Sequence, residues 1–456
     1  MNRRLAVPAS PILEYLESLR ARFAGLTDGE VADYIPELAR ADPERLGICI
    51  ATRDGFVYEV GDSSQPFTLQ SISKPLTFGL VLQEHGEDKV LAKIGVEPSG
   101  DAFNAISLRP QTGAPLNPLI NAGAIAACGL IPGDTVEEKS ARVLEAFSRH
   151  AGRALDIDER VYQSESATGH RNRAIGWMLR NFAILGGEPS PTLETYFRQC
   201  SIRVTCRDLA LMGATLANGG VNPVTGVRAL AEEYVDNVLS VMATCGMYDY
   251  SGEWLYRTGL PAKSGVGGGI LAVQPGRIGI GVFSPRLDAQ GNSVRGIAVC
   301  RALAADLGLN LFDAAQPAAP AVRLATTRRK VASKQRRPPV AAEHLRAAGK
   351  RLRLYHLQGP LAFATVEPVV RELIARAADA DYFVVNLRMV QAMDPAATRL
   401  LAGARRELAG LGKLLVFSEA SAWWQRLIDA GVDREAIFSD DDFALEHGEN
   451  LLLAER

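Results

Sequence analysis

The stretch from Pro66 to Leu76 reads PFTLQSISKPL, and inside it Ser71-Ile72-Ser73-Lys74 forms an S-x-x-K pattern. On a helix, residues i and i+3 share a face, so the Ser71 hydroxyl and the Lys74 amine are placed to meet. Pro75 has no N–H and is tolerated only in a first turn, so the spacing predicts a helix that begins close to Ser71. Ser71 then sits where free backbone N–H groups and the positive end of the helix dipole favour a developing anion. A serine is a weak nucleophile until a neighbouring base takes its proton. A lysine does that only when burial or nearby cations lower its pKa. Taken alone, S-x-x-K is a common pattern, most often found on surfaces.

Working outward, the second signal is Lys263-Ser264-Gly265, which opens onto the strand-like run VGGGILAV. Gly265, Gly267, Gly268 and Gly269 allow the backbone to approach a ligand closely. An early S-x-x-K with a late K-[ST]-G resembles the signature of the penicillin-recognising serine enzymes, where the late strand lines the site and offers a backbone N–H to the oxyanion. By itself the glycine-rich run reads as a strand edge or bulge.

Seven segments then occur in order: VADYIPELAR, PFTLQSISKPL, NPLINAGAI, QSESATGHRNRAIG, LANGG, CGMYDYSGEW and LPAKSGVGGGI. Together they resemble the serine-dependent glutaminases, over nearly all of residues 25–312. The resemblance implies a β-lactamase-like fold and deamidation of L-glutamine to L-glutamate and ammonia, with no metal or organic cofactor. It implies Ser71 as nucleophile, Lys74 as its partner base, and Tyr248 as a second hydroxyl that relays a proton or acts as the base. It places Tyr34 and Tyr196 in the pocket wall. Asn121, Glu165 and Asn172 hold the amino-acid end of the substrate. The Val266 backbone N–H, with that of Ser71, receives the oxyanion, and Lys263 adds positive potential near it.

Elementary chemistry agrees with that set. Free glutamine carries an ammonium and a carboxylate on one carbon, so a site that selects it needs one acidic group and several neutral donors. Glu165 suits the ammonium; Asn121, Asn172 and Tyr34 suit the carboxylate. Outside this company, Glu165 reads as a helix-start carboxylate, the asparagines as caps, and Tyr34, Tyr196 and Tyr248 as core aromatics. Two other readings stand beside the glutaminase one. A penicillin-recognising hydrolase would need export to reach its substrate, and a glutamine-sensing signalling protein would not release ammonia.

The fold class expected is α/β, of the α+β type. LGICIATRDGFVYEVGD reads as a hairpin turning at Arg53-Asp54-Gly55, and GGILAVQPGRIGIGVFSP as two strands around Pro275-Gly276. With VEEKSARVLEAFSRHAG and RDLALMGATLANGG as helices between them, one sheet is expected from both ends of residues 8–312, packed on a helical region. Ser10-Pro11 opens an amphipathic helix, and Thr27-Asp28-Gly29-Glu30 has capping-box spacing ahead of VADYIPELAR. Residues 313–349 are rich in Ala and Pro and then basic, with Arg328, Arg329, Lys330, Lys334, Arg336 and Arg337. They read as a solvated linker. Residues 350–456 alternate strand and helix and resemble the STAS domain, carried by DYFVVNLRMVQAMDPAATRLLAGARRELAGLGKLLVF. The family's Asp-Ser/Thr-x-Gly turn reads Asp394-Pro395-Ala396-Ala397 here, so a phosphorylation switch is not expected at it; a binding, dimerisation or nucleotide-sensing role stays open. Of Trp423 and Trp424, in the helix expected after the last strand, at least one is expected in the core.

Composition bounds the rest. The 456 residues are 47% hydrophobic and 22% charged, which is globular, and the net charge of −2 gives no reason to expect nucleic acid as a partner. No run of 18 apolar residues occurs, so no membrane span is expected. No apolar stretch follows Arg3-Arg4, so a cytoplasmic location is expected. Cys49, Cys128, Cys200, Cys206, Cys245 and Cys300 lie far apart and read as free buried thiols, not as disulfides or a zinc site. The histidines form no metal pattern, and His170, between Glu165 and Asn172, reads as structural. The glutaminase resemblance also implies a homo-oligomer, dimer or tetramer.

Overall fold

The computed structural model describes residues 10–33, 35–99, 108–312 and 320–455. It divides into two compact units, one built from Leu16–Ala305 with Leu309–Leu311, the other mainly from the residues after Phe312.

The first unit holds a five-stranded antiparallel sheet in the order Val57–Gly61, Gly47–Thr52, Ile278–Phe283, Gly269–Gln274, Ala262–Gly265. It joins the two ends of the unit, as the hairpin reading implies. Gly55, with φ +91°, turns the first hairpin, a conformation that glycine adopts without steric cost. The helix Cys206–Ala217 lies directly on this sheet. A Cβ on Gly279 would stand 2.1 Å from the Ala214 nitrogen, and one on Gly281 would stand 2.3 Å from the Cys206 oxygen. Those bare positions, on the middle strand, let helix backbone touch strand backbone, and the helix starts from a capping box of Thr205 with Asp208. Behind them an apolar core joins the helices Ser73–His85, Asn121–Leu130, Val136–Ala151, His170–Asn181 and Pro189–Cys200.

The helix expected after Thr27 does not form. Glu30 pairs instead with Leu287, and among the described residues of this stretch only Leu38–Arg40 makes a short 3-10 turn. A Cβ on Gly29 would stand 2.3 Å from the Leu287 oxygen. Pairing across the fold therefore overrides the local capping signal.

The second unit is a five-stranded sheet in the order Ile437–Phe438, Leu414–Ser418, Tyr382–Met393, Leu352–Leu361, Val322–Thr327. All its pairs are parallel except the last. Helices Phe363–Arg376 and Pro395–Gly410 join the parallel strands, and Asp441–Ala454 closes the unit. The linker reading of residues 313–349 fails over its described part. Val322–Thr327 pairs antiparallel with Leu352–Leu361, and Pro339–Ala348 is helical. The basic run is solvated only in part: Arg329, Lys330, Lys334 and Arg336 are exposed. Arg328 and Arg337 both reach the Glu449 carboxylate, at 2.8 and 3.4 Å, and Ser333 gives it a hydroxyl and a backbone N–H. Glu449 is wholly buried, so the run folds back to neutralise it. Neither Trp423 nor Trp424 is in the core: Trp423 is half-buried and Trp424 exposed. Their short helix, Trp424–Asp429, is followed by a further one.

Candidate active site

Ser71 lies in a tight 3-10 turn, Gln70–Ile72, that runs into the helix Ser73–His85. Gln70 holds φ +50° and Tyr248 φ +58°. These are left-handed values that a residue with a side chain adopts only when its surroundings enforce them. Both strained residues flank the serine: Gln70 precedes it in the chain, and the Tyr248 phenol shares a hydrogen bond with its hydroxyl.

The Lys74 ammonium is fully buried and donates to Asn121 Oδ1 at 2.6 Å and to the Leu119 carbonyl at 3.3 Å. Burial lowers its pKa to about 8, against a smaller opposing pull from Cys200 and Glu165. Asn121 starts the helix Asn121–Leu130, and its Nδ2 donates to Asn172 Oδ1 at 2.9 Å. Glu165, on the helix Glu159–Thr168, is buried, and among the described residues its hydrogen-bond donors are a Gln70 amide at 3.4 Å and the Cys200 thiol. Burial pushes its carboxyl up to about 8, and the Gln70 bond and the Lys74 charge pull it back. Tyr196 is buried and bonded to the same thiol. Val266 sits in the turn between the last two strands of the sheet, closed by Gly268 N donating to Gly265 O at 2.9 Å.

Ser71, Asn121, Glu165, Asn172, Tyr196 and Val266 line one cavity of about 380 Å³. Lys74 and Tyr248 do not line it; each reaches a residue that does, Lys74 through Asn121 and Tyr248 through Ser71. Tyr34 lies outside the described residues; its neighbour Ile35 lines the cavity. Lys263 is not among the lining residues. Its ammonium is buried against the Gly246 and Ser264 carbonyls and the face of the Tyr248 ring. His170 is exposed at the start of His170–Asn181, while Gly169 and Arg171 on either side of it line the cavity. Among the lining residues given no site role by the sequence reading, Gln70 and Cys200 touch Glu165. Gln70 was legible as the neighbour of Ser71, but only its backbone twist turns its amide toward Glu165. Cys200 read as an inert buried thiol, which its raised pKa matches, yet it touches both Glu165 and Tyr196.

An opening of this kind has the size of a small-ligand site, about 300–1,000 Å³. It offers one carboxylate, two linked amides and a hydroxyl whose hydrogen-bond partner is a phenol. No helix of the described residues is long and apolar enough to cross a membrane, and all six cysteines are free thiols.

Comparison with known proteins gives this arrangement a family. The glutaminase family model matches residues 29–312, and the STAS domain model matches residues 344–435. The glutaminase of Microcystis aeruginosa is 54% identical over 307 residues, 67% of this chain and 91% of that one. Glutaminase 1 of Bradyrhizobium diazoefficiens is 47% identical over 420 residues, 91% of this chain and 68% of that one. Among solved structures, Mglu in its glutamate form is 37% identical with a TM-score of 0.66, covering 90% of this chain and 98% of that one. A Bacillus glutaminase is 34% identical with a TM-score of 0.61, covering 66% of this chain and 100% of that one. The family match covers the whole cavity wall and leaves no ground for the penicillin-recognising reading or for a sensor without enzymatic activity: this chain belongs to the glutaminase family.

Proposed function

We propose that this glutaminase works through a γ-glutamyl ester on Ser71, with the substrate's amino-acid end held at the opposite side of the 380 Å³ cavity. One observation carries the reading: residues from six separate segments, predicted for one site, meet on that single surface. Glu165 takes the α-ammonium, and Asn121, Asn172 and Tyr34 take the α-carboxylate. The incoming ammonium supplies the partner that Glu165 lacks.

Lys74, with its pKa lowered to about 8, takes the Ser71 proton as the oxygen attacks the side-chain carboxamide. The oxyanion rests on the Ser71 and Val266 N–H groups. Burial keeps the Tyr248 phenol protonated, so it gives its proton to the leaving nitrogen and recovers one from Lys74. The C–N bond breaks and ammonia leaves. Water then cleaves the ester, and the same groups return the proton to Ser71. Burst release of ammonia ahead of glutamate, with a glutamyl adduct on Ser71 by mass spectrometry of quenched enzyme, is the test. Absence of any adduct under single-turnover conditions overturns the mechanism.

The boundaries proposed are residues 8–312 for the glutaminase domain and 350–456 for the STAS-like domain, with the described part of 313–349 reassigned to the latter. A homo-oligomer in the cytoplasm, needing no cofactor, completes the proposal; sedimentation of the purified chain tests the first part.

A further inference from the structure

The Lys263 ammonium has no carboxylate within ion-pair distance among the described residues. It is nonetheless fully buried, and everything it touches belongs to one place. It donates to the Gly246 carbonyl at 2.8 Å and to the Ser264 carbonyl at 2.6 Å, and it stands 4.1 Å from the centre of the Tyr248 ring. The Tyr248 phenol donates to the same Ser264 carbonyl, at 3.0 Å. A carbonyl has two lone pairs, so both bonds form at once.

The segment that Lys263 grips is under constraint. A Cβ on Gly246 would lie 1.7 Å from the Ala262 oxygen, so only glycine lets this turn approach the strand Ala262–Gly265. The Ser264 N–H donates to Gly246 O at 3.3 Å. Two residues on, Tyr248 holds its left-handed backbone, φ +58°. From the outer side Ser251 pins that backbone, accepting from Met247 N at 2.9 Å and donating to Tyr248 O at 2.7 Å. From the inner side the Lys263 amine bridges the turn to the strand, alongside the Tyr248 phenol itself. The ring is thus held by the Lys263 amine over its face and by a carbonyl on its hydroxyl, while the phenol also shares a hydrogen bond with the Ser71 hydroxyl.

We propose that Lys263 is a positioning residue: it acts on the reaction through Tyr248, holding the phenol against Ser71, and not by adding potential at the oxyanion. The inference rests on the reading of Tyr248 as the proton carrier beside Ser71. It assigns the lysine of the late K-S-G motif a role that its absence from the cavity wall requires.

A double-mutant cycle on the full chain tests this, using Lys263→Met, Tyr248→Phe and the pair, with ammonia release for kcat and KM and calorimetric binding of glutamate as a check on the fold. Lys263→Met is expected to lower kcat by about 10- to 100-fold, the order of a lost charge-assisted hydrogen bond, with KM and glutamate affinity within about threefold. In the Tyr248→Phe background the same change is expected to cost less than about twofold, because the group it acts through is already gone. If Lys263→Met costs its full factor again in that background, the lysine acts elsewhere and the proposal is overturned while the Tyr248 reading stands. If Tyr248→Phe alone keeps wild-type kcat, the Tyr248 reading falls, and the proposal with it. Should Lys263→Met fail to bind glutamate, Lys263→Gln keeps a donor for one carbonyl and is expected to recover binding with an intermediate kcat. Loss of glutamate binding in both variants would make the lysine a structural prop and overturn the proposal.

Discussion

Each unit buries a glutamate, and the two carboxylates are provided for in opposite ways. Glu449, in the STAS-like unit, receives two guanidinium groups, a hydroxyl and a backbone N–H. Glu165, in the glutaminase unit, receives one long amide bond and a thiol, and its carboxyl is pushed up to about 8. A buried charge that is fully paired is a fastening; one left short of partners is a place kept for something that arrives. The contrast predicts which changes affect catalysis and which affect stability.

The largest expected effect is at Ser71, the proposed nucleophile, which lines the same cavity as Glu165. Ser71→Ala is expected to cost about 10⁴- to 10⁶-fold in kcat, as for other covalent nucleophiles, with unchanged thermal melting. Ammonia release at wild-type rate would end the covalent reading. Next comes Glu165→Gln, expected to lower kcat/KM by about 10²- to 10³-fold, the scale of a lost buried charge partner, chiefly through KM. Its melting temperature is expected to hold or rise, because the poorly partnered carboxyl costs stability when it ionises. Glu449→Gln should do the reverse. Leaving Arg328 and Arg337 without their anion is expected to destabilise the STAS-like unit by about 3–5 kcal/mol, read as a lowered melting transition, with kcat/KM within twofold. A melting loss from Glu165→Gln together with an activity loss from Glu449→Gln would break the comparison.

The comparison also fixes a pH sign. The folded-state pKa of Glu165 lies above its ordinary value, so its contribution to stability is fully present at low pH and is lost as pH rises towards about 8. Relative to Glu165→Gln, wild-type stability should therefore fall from about pH 4.5 upward. Activity runs the other way. An anionic Glu165 and a neutral Lys74 are both needed, so kcat/KM should rise through about pH 8, the two groups titrating as a pair. Near pH 7, binding of glutamate should release protons from Glu165, which calorimetry in buffers of different ionisation heat measures directly. Proton uptake instead would assign the shifted group elsewhere.

The same two glutamates show what the sequence discloses. Ser71, Lys74, Asn121, Glu165, Asn172, Tyr196, Tyr248 and Val266 were legible because each sits in an unusual local string, and the single sheet was legible because strand patterns stand at both ends of one domain. Glu449 was not legible, because its arginines lie more than a hundred positions upstream and composition alone makes them look like a tether. The Thr27 capping signal misled for the same reason: Leu287, which takes Glu30, is far away in the chain. Gln70 stayed hidden because its use depends on a backbone angle of +50°, which no residue-level pattern states. Lys263 was read by its motif, and a motif gives a residue's neighbours in sequence and not the direction of its side chain.

The smallest expected effect concerns the turn that replaces the STAS phosphorylation motif. Asp394 Oδ1 accepts from Ala397 N at 2.6 Å and caps the helix Pro395–Gly410, while Thr398 Oγ1 donates to the Asp394 carbonyl at 3.0 Å. With Pro395 where the family has a hydroxyl, the carboxylate has no phosphoryl group to face and serves its own helix. Asp394→Ala should then cost only about 0.5–2 kcal/mol, the range of a lost N-cap, and should leave kcat/KM unchanged. Among the described residues, those that line the glutaminase cavity all belong to the first unit, and the Microcystis relative is matched over 91% of its length by 67% of this chain. Asp394→Asn keeps the cap and should restore stability. A change in kcat/KM with Asp394→Ala that exceeds its effect on melting would mean that this turn signals to the glutaminase unit, and that the division drawn from the two buried glutamates is incomplete.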